Sequence, residues 1–417
     1  METLALNLSV PEKDEFDVIV CGGGVAGCAA ALEAARRGRK TLLLEKSCML
    51  GGLATLGLVN YFVPMCNRRG KLICRGMAEE FLKLAISIGY NTLPKEWKNG
   101  EPKYGASNPC HSEFDPNLFA MQLAELLDKA GVTILFDVGA LMPVMDGPLC
   151  RGIVVSGKNG LFYHPARVVI DATGDAEIMA KAGVPVADGA NFFSYFPREI
   201  TFTSCADALS SGEIRRALRV FPGGEANLYG GGHPEGMPLF YGADPAVTTD
   251  YLLKNQKLIL ERRRADPDAK DKLFASIPGM PQFRTVRRIV GDFTLSEHHA
   301  FCHFEDSVAA INDFDRKDLL YEIPLRCLTR RGFDNLIAAG RCISAEGYAW
   351  DVVRVIPPAI LTGQAAAVCA CRAMDESRPV ADIDVKAAQN RIVLNKAYVH
   401  FPDELVPRSI TPTWLEA

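Results

Sequence analysis

Residues 15–46, EFDVIVCGGGVAGCAAALEAARRGRKTLLLEK, change character twice. Val18 to Val20 is a short apolar run, Gly22, Gly23, Gly24 and Gly27 interrupt it, alanine fills most of the positions that follow, and Thr41 to Leu44 is apolar again. The pattern predicts strand, tight turn, helix, strand. A continuous short apolar run suits a strand covered on both faces, and alanine suits a helix that packs closely on it. In such a unit Gly22 permits the sharp turn, Gly24 lets a phosphate approach the backbone and Gly27 lets the helix press on the strand. The helix N-terminus, at Val25 and Ala26, offers free N–H groups and a positive dipole end to a pyrophosphate. Gly38 ends the helix. Glu45, followed by Lys46, stands at the tip of the second strand, where a carboxylate bonds ribose hydroxyls and repels the extra phosphate of NADP.

The remaining composition narrows the class. The chain has 417 residues, 48% of them hydrophobic, with 46 basic and 50 acidic side chains, enough for a large core and more than one structural unit. Nothing basic enough to bind nucleic acid stands out, and the apolar window Val352 to Ala373 contains Arg354, Pro357, Pro358 and Gln364 and reads as a buried core helix rather than a membrane span. METLALNLSVPEKDE lacks the features of a secretory signal, and thirteen cysteines without a CxxC pair read as core thiols of a reducing compartment. The expectation is a cytoplasmic protein acting on a small-molecule substrate, with no nucleic acid and no membrane as partner and with self-association into a homo-oligomer left open.

Three further segments separate NAD from FAD. KSCMLGGLATLGLVN puts Gly51 and Gly52 just past the second strand, where backbone N–H groups meet more of a long, bent cofactor. ARVVIDATGDAEIMAKAG is a buried strand that ends in the small residues Ala172, Thr173, Gly174 and Asp175, the kind of carboxyl end at which doubly wound sheets bind ligands. FDNLIAAGRCISAEGYAWDVVRVIPPAILTGQAAA is strand, Gly340, loop and a helix primed by Pro357 and Pro358; its first turn, with Ala359 and Ile360, would stabilise negative charge at one edge of a reduced flavin.

Together with HSEFDPNLFAMQLAELLDKAGV, RTVRRIVGDFTL and YEIPLRCL, these segments resemble the glutathione-reductase-like FAD-dependent oxidoreductases, in a branch distantly similar to fumarate reductase flavoproteins, over almost the whole chain. The resemblance implies FAD as cofactor. It assigns Gly22, Gly24 and Gly27 to the pyrophosphate, Glu45 to the adenosine ribose, and Gly51, Gly52, Leu53, Ala54 and Thr55 to the ribityl and flavin side. It gives the backbone of Val138 to the adenine, and Gly340 with Arg341 to the second phosphate end. The loop AEGYAWD after RCIS departs from the pattern of many relatives, which leaves the substrate residues to this chain's own chemistry.

The fold class expected is α/β: a Rossmann-like FAD-binding domain, with a parallel sheet and an antiparallel β insert, plus a second mixed α+β substrate domain. The first would be discontinuous, from residues 1–59, 115–183 and 326–378. Residues 60–114 and 184–325 would form the substrate or cap domain, and residues 379–417 a helical C-terminal cap with a helix from Val385 to Tyr398. The Gly- and Pro-rich run 221–242 reads as a loop rather than a second dinucleotide unit.

If the flavin carries the hard step, the protein must hold a carbon against it and manage one proton. Candidates are Arg354, for an anionic group or a reduced flavin, and Tyr348 and Asp351 as wall and proton carrier, with Trp350 beside them. Thr294 and Glu297 read as a capping box that starts a helix near Leu295. On that helix His299, His303 and Asp306 would share a face, His299 being a candidate base. No HExxH accompanies them, and no metal is expected. Arg288, with Arg287, is a substrate-side or interdomain cation, and His233 a candidate in the loop. Cys48 and Cys66 read as thiol packing. The chemistry expected is hydride transfer between flavin N5 and a small organic substrate, by oxidation of a C–H next to oxygen or nitrogen or by reduction of a polarised C=C. The alternatives are a flavoprotein acting on tRNA or other RNA and a non-catalytic flavin-binding protein.

Overall fold

The computed structural model describes residues 9–67, 70–94, 97, 111–316 and 318–416. Its centre is the predicted unit: strand β1 (Phe16–Cys21), helix α1 (Val25–Arg36) and strand β2 (Thr41–Glu45). The chain later adds β3 (Thr133–Phe136), β4 (Gly139–Asp146), β5 (Leu149–Gly157) and β6 (Gly160–Asp171). β3, β2, β1 and the second half of β6 lie side by side in parallel, and Leu336–Ala338 continues the parallel sheet beyond β6. The first half of β6 turns away into an antiparallel meander with β5 and β4. One long strand thus belongs to both sheets. The two halves differ in cover accordingly: LFYHP is only partly buried apart from His164, whereas VVID is wholly buried.

Small residues decide how closely the layers approach. In α1 every residue from Val25 to Ala34 is buried, and in the long helix Ile356–Glu376 the buried run is continuous from Ile356 to Cys371. The two helices touch backbone to backbone: a Cβ on Gly363 would lie 2.1 Å from the Ala26 carbonyl oxygen. A Cβ on Gly27 would lie 1.8 Å from the Gly22 carbonyl oxygen, so α1 sits directly on the turn that begins it.

A second body of structure has its own core of Phe193, Tyr195, Phe240, Tyr251 and Phe283. It contains an antiparallel three-stranded sheet centred on Arg198–Thr201 and the helix Pro245–Ala265, whose start is capped by Asp244. It meets the first body where Arg287–Ile289 pairs with Val186–Asp188.

Four expectations need correction. No helix starts near Leu295: Glu297–His299 is a single 3₁₀ turn, Phe301 takes a left-handed φ of 62°, and Cys302–Phe304 is a strand. The cap there is made by Ser296 with His299, while the Thr294 hydroxyl pairs with that of Ser344 at 2.8 Å. His299, His303 and Asp306 therefore share no helix face. Residues 379–416 are not only helical, because Thr413–Leu415 pairs in parallel with Cys302–Phe304. The helix in that region stops at Leu394, ahead of Lys396 at φ 66°. Finally, the window Val352 to Ala373 is broken at Arg354 and Val355 into helices Gly347–Val353 and Ile356–Glu376, bent by 80°. Pro357 and Pro358 carry no N–H to donate to the carbonyls of Val353 and Arg354, so the first helix cannot run on through them, whereas the first turn of a new helix, whose N–H groups have no partner inside the helix, accepts them. No single helix among the described residues is long and apolar enough to cross a membrane.

Candidate functional site

Four glycine-bearing segments, distant in sequence, meet at the N-terminus of α1. Gly22, at φ 102°, makes the turn, and a Cβ on it would lie 2.5 Å from the Ala172 carbonyl oxygen. Gly51 bonds back to Gly23 through its N–H at 2.8 Å, and a Cβ on Gly52 would lie 3.2 Å from the Gly24 Cα. A Cβ on Gly340 would meet that of Ala26 at 2.8 Å. Gly24 is the exception: a Cβ there meets nothing within 4 Å. Open space therefore lies at the end of α1, where backbone N–H groups and the dipole favour an anion and where the walls are main chain.

The flanking residues are held by short polar contacts. The buried Glu45 carboxylate accepts from the Gly23 and Ser47 N–H groups, both at 2.7 Å, which fixes it at the tip of β2 beside the glycine turn. Val138 gives its N–H to the Glu45 carbonyl at 3.2 Å, and with Lys46, Asp137, Gly139 and Ser156 it lines a shallow cavity of about 320 Å³. The Lys46 ammonium lies 3.4 Å from Glu177. Gly52–Ala54, with Leu53 at its middle, is a 3₁₀ turn, pinned by the Thr55 hydroxyl donating to the Leu50 carbonyl at 2.6 Å.

At the end of β6, Asp171 organises the next turn. One carboxylate oxygen accepts from the Thr173 N–H and hydroxyl at 3.1 and 2.7 Å, the other from the N–H groups of Ile178 and Met179 at 2.9 and 2.8 Å. Burial pushes this carboxyl above its ordinary range, with those hydrogen bonds working against the shift. Arg341 spans the two bodies of structure. Its guanidinium donates to the Gly174 carbonyl at 2.8 Å, to Asp175 at 2.6 Å and to the Phe283 carbonyl at 3.1 Å. The side chain that the resemblance assigns to the phosphate end thus also ties the cap to the first body.

The substrate-side candidates divide into two groups. Arg354 lies just before the helix that opens with Ile356, Pro357, Pro358, Ala359 and Ile360, and donates to Asp351 at 2.7 Å. Burial lowers its pKa; Asp351 opposes that shift and the positive charge of Arg341 adds to it. Arg284, which nothing in its motif set apart from Arg287 and Arg288, belongs with them. Burial and then the charge of Arg354 lower its pKa, and it donates to the Ala226 and Asn227 carbonyls at 3.2 and 3.1 Å. Arg354, just ahead of the helix N-terminus, is thus within electrostatic reach of both Arg284 and Arg341. Tyr348 donates to Asp313 at 2.7 Å and lies under the Arg316 guanidinium, 3.6 Å from its ring centroid. Burial, then Asp313, pushes the phenol far up, so Tyr348 stays protonated. Asp313, unmarked in the sequence, has its own carboxyl raised by burial, and its second oxygen is buried without a partner among the described residues.

The other candidates have structural partners. Arg288 pairs with Glu346 at 3.4 Å and faces the Trp350 ring. His233 accepts from the Phe193 N–H and lies 3.0 Å from the Met237 carbonyl, tying down the 221–242 loop. Cys48 is exposed and Cys66 buried. His299 accepts the Ser296 N–H at its Nδ1, which leaves the proton on Nε2, and packs against Phe293 and Phe304. Burial, then His298, holds its pKa below the ordinary value. The unfolded chain then binds more protons than the folded one between that lowered value and about pH 6.5, so stability rises with pH through this window and is lost on acidification. In melting curves from about pH 5 to 8, His299→Gln is expected to flatten this slope; an unchanged slope would place the titration elsewhere.

A family profile described as FAD dependent oxidoreductase matches residues 17–204 and 249–392. Digeranylgeranylglycerophospholipid reductase of Methanoculleus marisnigri is 26% identical over 180 residues, 41% of this chain and 42% of that protein. The tRNA uridine 5-carboxymethylaminomethyl modification enzyme of Clostridium botulinum is 24% identical over 160 residues, 37% of this chain and 24% of the enzyme. The chain thus spans less than half the length of these two curated relatives. Among solved structures, a geranylgeranyl bacteriochlorophyll reductase-like protein of Thermoplasma acidophilum aligns over 94% of this chain and 95% of its own, at 15% identity and a TM-score of 0.42. With the family profile spanning the glycine turn, the meander and the long C-terminal helix, this chain belongs to the FAD dependent oxidoreductase family.

Proposed function

We propose that the chain holds FAD with its pyrophosphate at Gly22, Gly24 and Gly27, its ribose at Glu45 and its ring between Gly51–Thr55 and the helix beginning at Ile356. In this reading it acts on a small organic substrate in the manner of the glutathione-reductase-like branch. The observation that carries this is the open space at Gly24, walled by the main chain of four converging segments. Bound there, the flavin supplies the redox step, giving or taking a hydride at N5. The protein supplies placement and charge. Arg284, Arg341 and Arg354 provide a positive field beside the helix N-terminus, suited to a carboxylate or a polarised carbonyl. The Tyr348–Asp313 pair provides a held proton: the phenol keeps its own and donates it in a hydrogen bond to Asp313, and Asp313, its carboxyl raised by burial, is the member able to take up and release one.

The field favours reduction of a polarised C=C, the held proton serving the carbon next to the one that receives the hydride. Anaerobic titration of the purified yellow protein tests this. Flavin reduced by dye should be reoxidised by an α,β-unsaturated acid; bleaching of oxidised flavin by hydroxy acids or amines would instead assign the opposite direction. The match to a tRNA-modifying enzyme favours one second reading, action on RNA. Salt-dependent retention on immobilised tRNA would support it, although the formal net charge of −4 argues for a small substrate.

A further inference from the structure

Away from the glycine turns, the C-terminal segment crosses the strands Cys302–Phe304 and Leu320–Pro324, and two histidines meet a carboxylate there. Glu322 is completely buried. Its Oε1 lies 2.6 Å from His303 Nδ1 and accepts from the Phe401 N–H at 3.2 Å; its Oε2 lies 2.9 Å from His400 Nδ1 and accepts from the Phe304 N–H at 2.9 Å. His303 is 1% exposed, and its other nitrogen, Nε2, lies 2.9 Å from Asp403. Its ring is stacked between Phe401 and Trp414, at centroid distances of 4.2 and 4.7 Å.

This arrangement has one cation too few. A neutral imidazole carries a single N–H, yet both nitrogens of His303 face carboxylate oxygens, so one of the two contacts would set lone pair against lone pair. A wholly buried carboxylate also requires a positive partner, and no lysine or arginine takes part in these contacts.

We propose that His303 Nδ1, His400 Nδ1 and a Glu322 carboxylate oxygen form a binding site for one divalent transition-metal ion of the Zn²⁺ type. The three ligand atoms already lie within 4.8 Å of one another, and ligand atoms about 2.0–2.2 Å from a tetrahedral ion stand roughly 3.3 Å apart. His303 and Glu322 must part slightly and His400, the most exposed of the three, must swing inward. Two imidazoles with one carboxylate select Zn²⁺ and its transition-metal neighbours over Mg²⁺ or Ca²⁺. Asp403 completes the pattern: it accepts from Nε2–H of His303, fixing the tautomer that turns Nδ1 to the ion. An ion of charge +2 balances Glu322 and Asp403 together. The ion would fasten residues 398–416, which bring His400, Asp403 and Trp414, onto the strands. It is independent of the flavin, and the His299–His303–Asp306 spacing gave no hint of it, since the ligands come from segments nearly a hundred residues apart.

The test uses the tag-free full-length protein, stripped with a chelator and titrated with Zn²⁺ alone. One ion per chain is expected, with a dissociation constant of about 1 μM or tighter, a raised Tm, and, with Co²⁺ instead, absorption bands at wavelengths longer than those of flavin. His400→Gln, at the partly exposed ligand, should stay folded and bind at least about 100-fold more weakly, with no change of Tm on adding Zn²⁺. Glu322→Gln should behave likewise if it folds. Folded wild type that takes up no Zn²⁺ overturns the proposal and makes the missing cation a proton. Equal uptake by His400→Gln overturns it too, because the ion then sits elsewhere.

Discussion

Gly24→Asp is expected to purify folded and colourless. The position has ordinary extended backbone, φ −64° and ψ 174°, and caps the N-terminus of α1 without any side-chain hydrogen bond. A Cβ there meets nothing within 4 Å. Aspartate is among the preferred residues at that position, and exchange with glycine there changes helix stability by only a few tenths of a kcal/mol. The added carboxylate, however, occupies the space and the charge position that the pyrophosphate needs. Flavin affinity should fall at least about 100-fold, roughly 2.7 kcal/mol or more, while Tm without flavin moves by no more than a few degrees. Absorbance at the flavin band and a melting curve on the same preparation read both quantities. A yellow Gly24→Asp protein with undiminished affinity would remove the pyrophosphate from this turn, and with it the roles given to the surrounding residues.

Asp171→Ala should act in the opposite way, on the fold first. The carboxylate accepts four hydrogen bonds from a wholly buried position, and alanine leaves the Thr173, Ile178 and Met179 N–H groups without their acceptor. Buried donors stranded in this way, with the loss of the cap on the short helix Glu177–Lys181, should cost about 3–5 kcal/mol. The urea midpoint at pH 7 measures it, and a loss under about 1 kcal/mol would show that water replaces the carboxylate. Asp171→Asn gives a second readout. Because the folded-state pKa is raised, the native chain holds the proton longer than the unfolded one, and wild-type stability falls as pH rises above the ordinary carboxylate range. The asparagine variant should lack that contribution. An identical pH profile would mean that Asp171 titrates alike in both states.

The first strand, turn, helix and second strand were legible because each rests on local chemistry. FDVIVC can be buried on both faces, Gly22 takes a φ that other residues avoid, and Gly27 tolerates a 1.8 Å approach that any Cβ forbids. The same holds for the double proline that opens the long C-terminal helix. Local signals failed where distant partners decide. SEHHAFCHF carries helix-start residues, yet Cys302–Phe304 is a strand because Thr413–Leu415 arrives beside it from the far end of the chain. The contacts of Arg341, which the resemblance assigns to the phosphate end, were equally out of reach of local signals: Gly174, Asp175 and Phe283 accept from it, none of them near it in sequence.

By itself, then, the sequence determined the strand, turn, helix and strand of the first unit and the glycines that shape it, since spacing and side-chain size act within a few residues. Only the tertiary structure decided which polar groups face one another: Arg284 beside Arg354, Asp313 under Tyr348, and Glu322 between His303 and His400. Burial turns such meetings into shifted protons and unmet charges, and burial is a property of the folded whole.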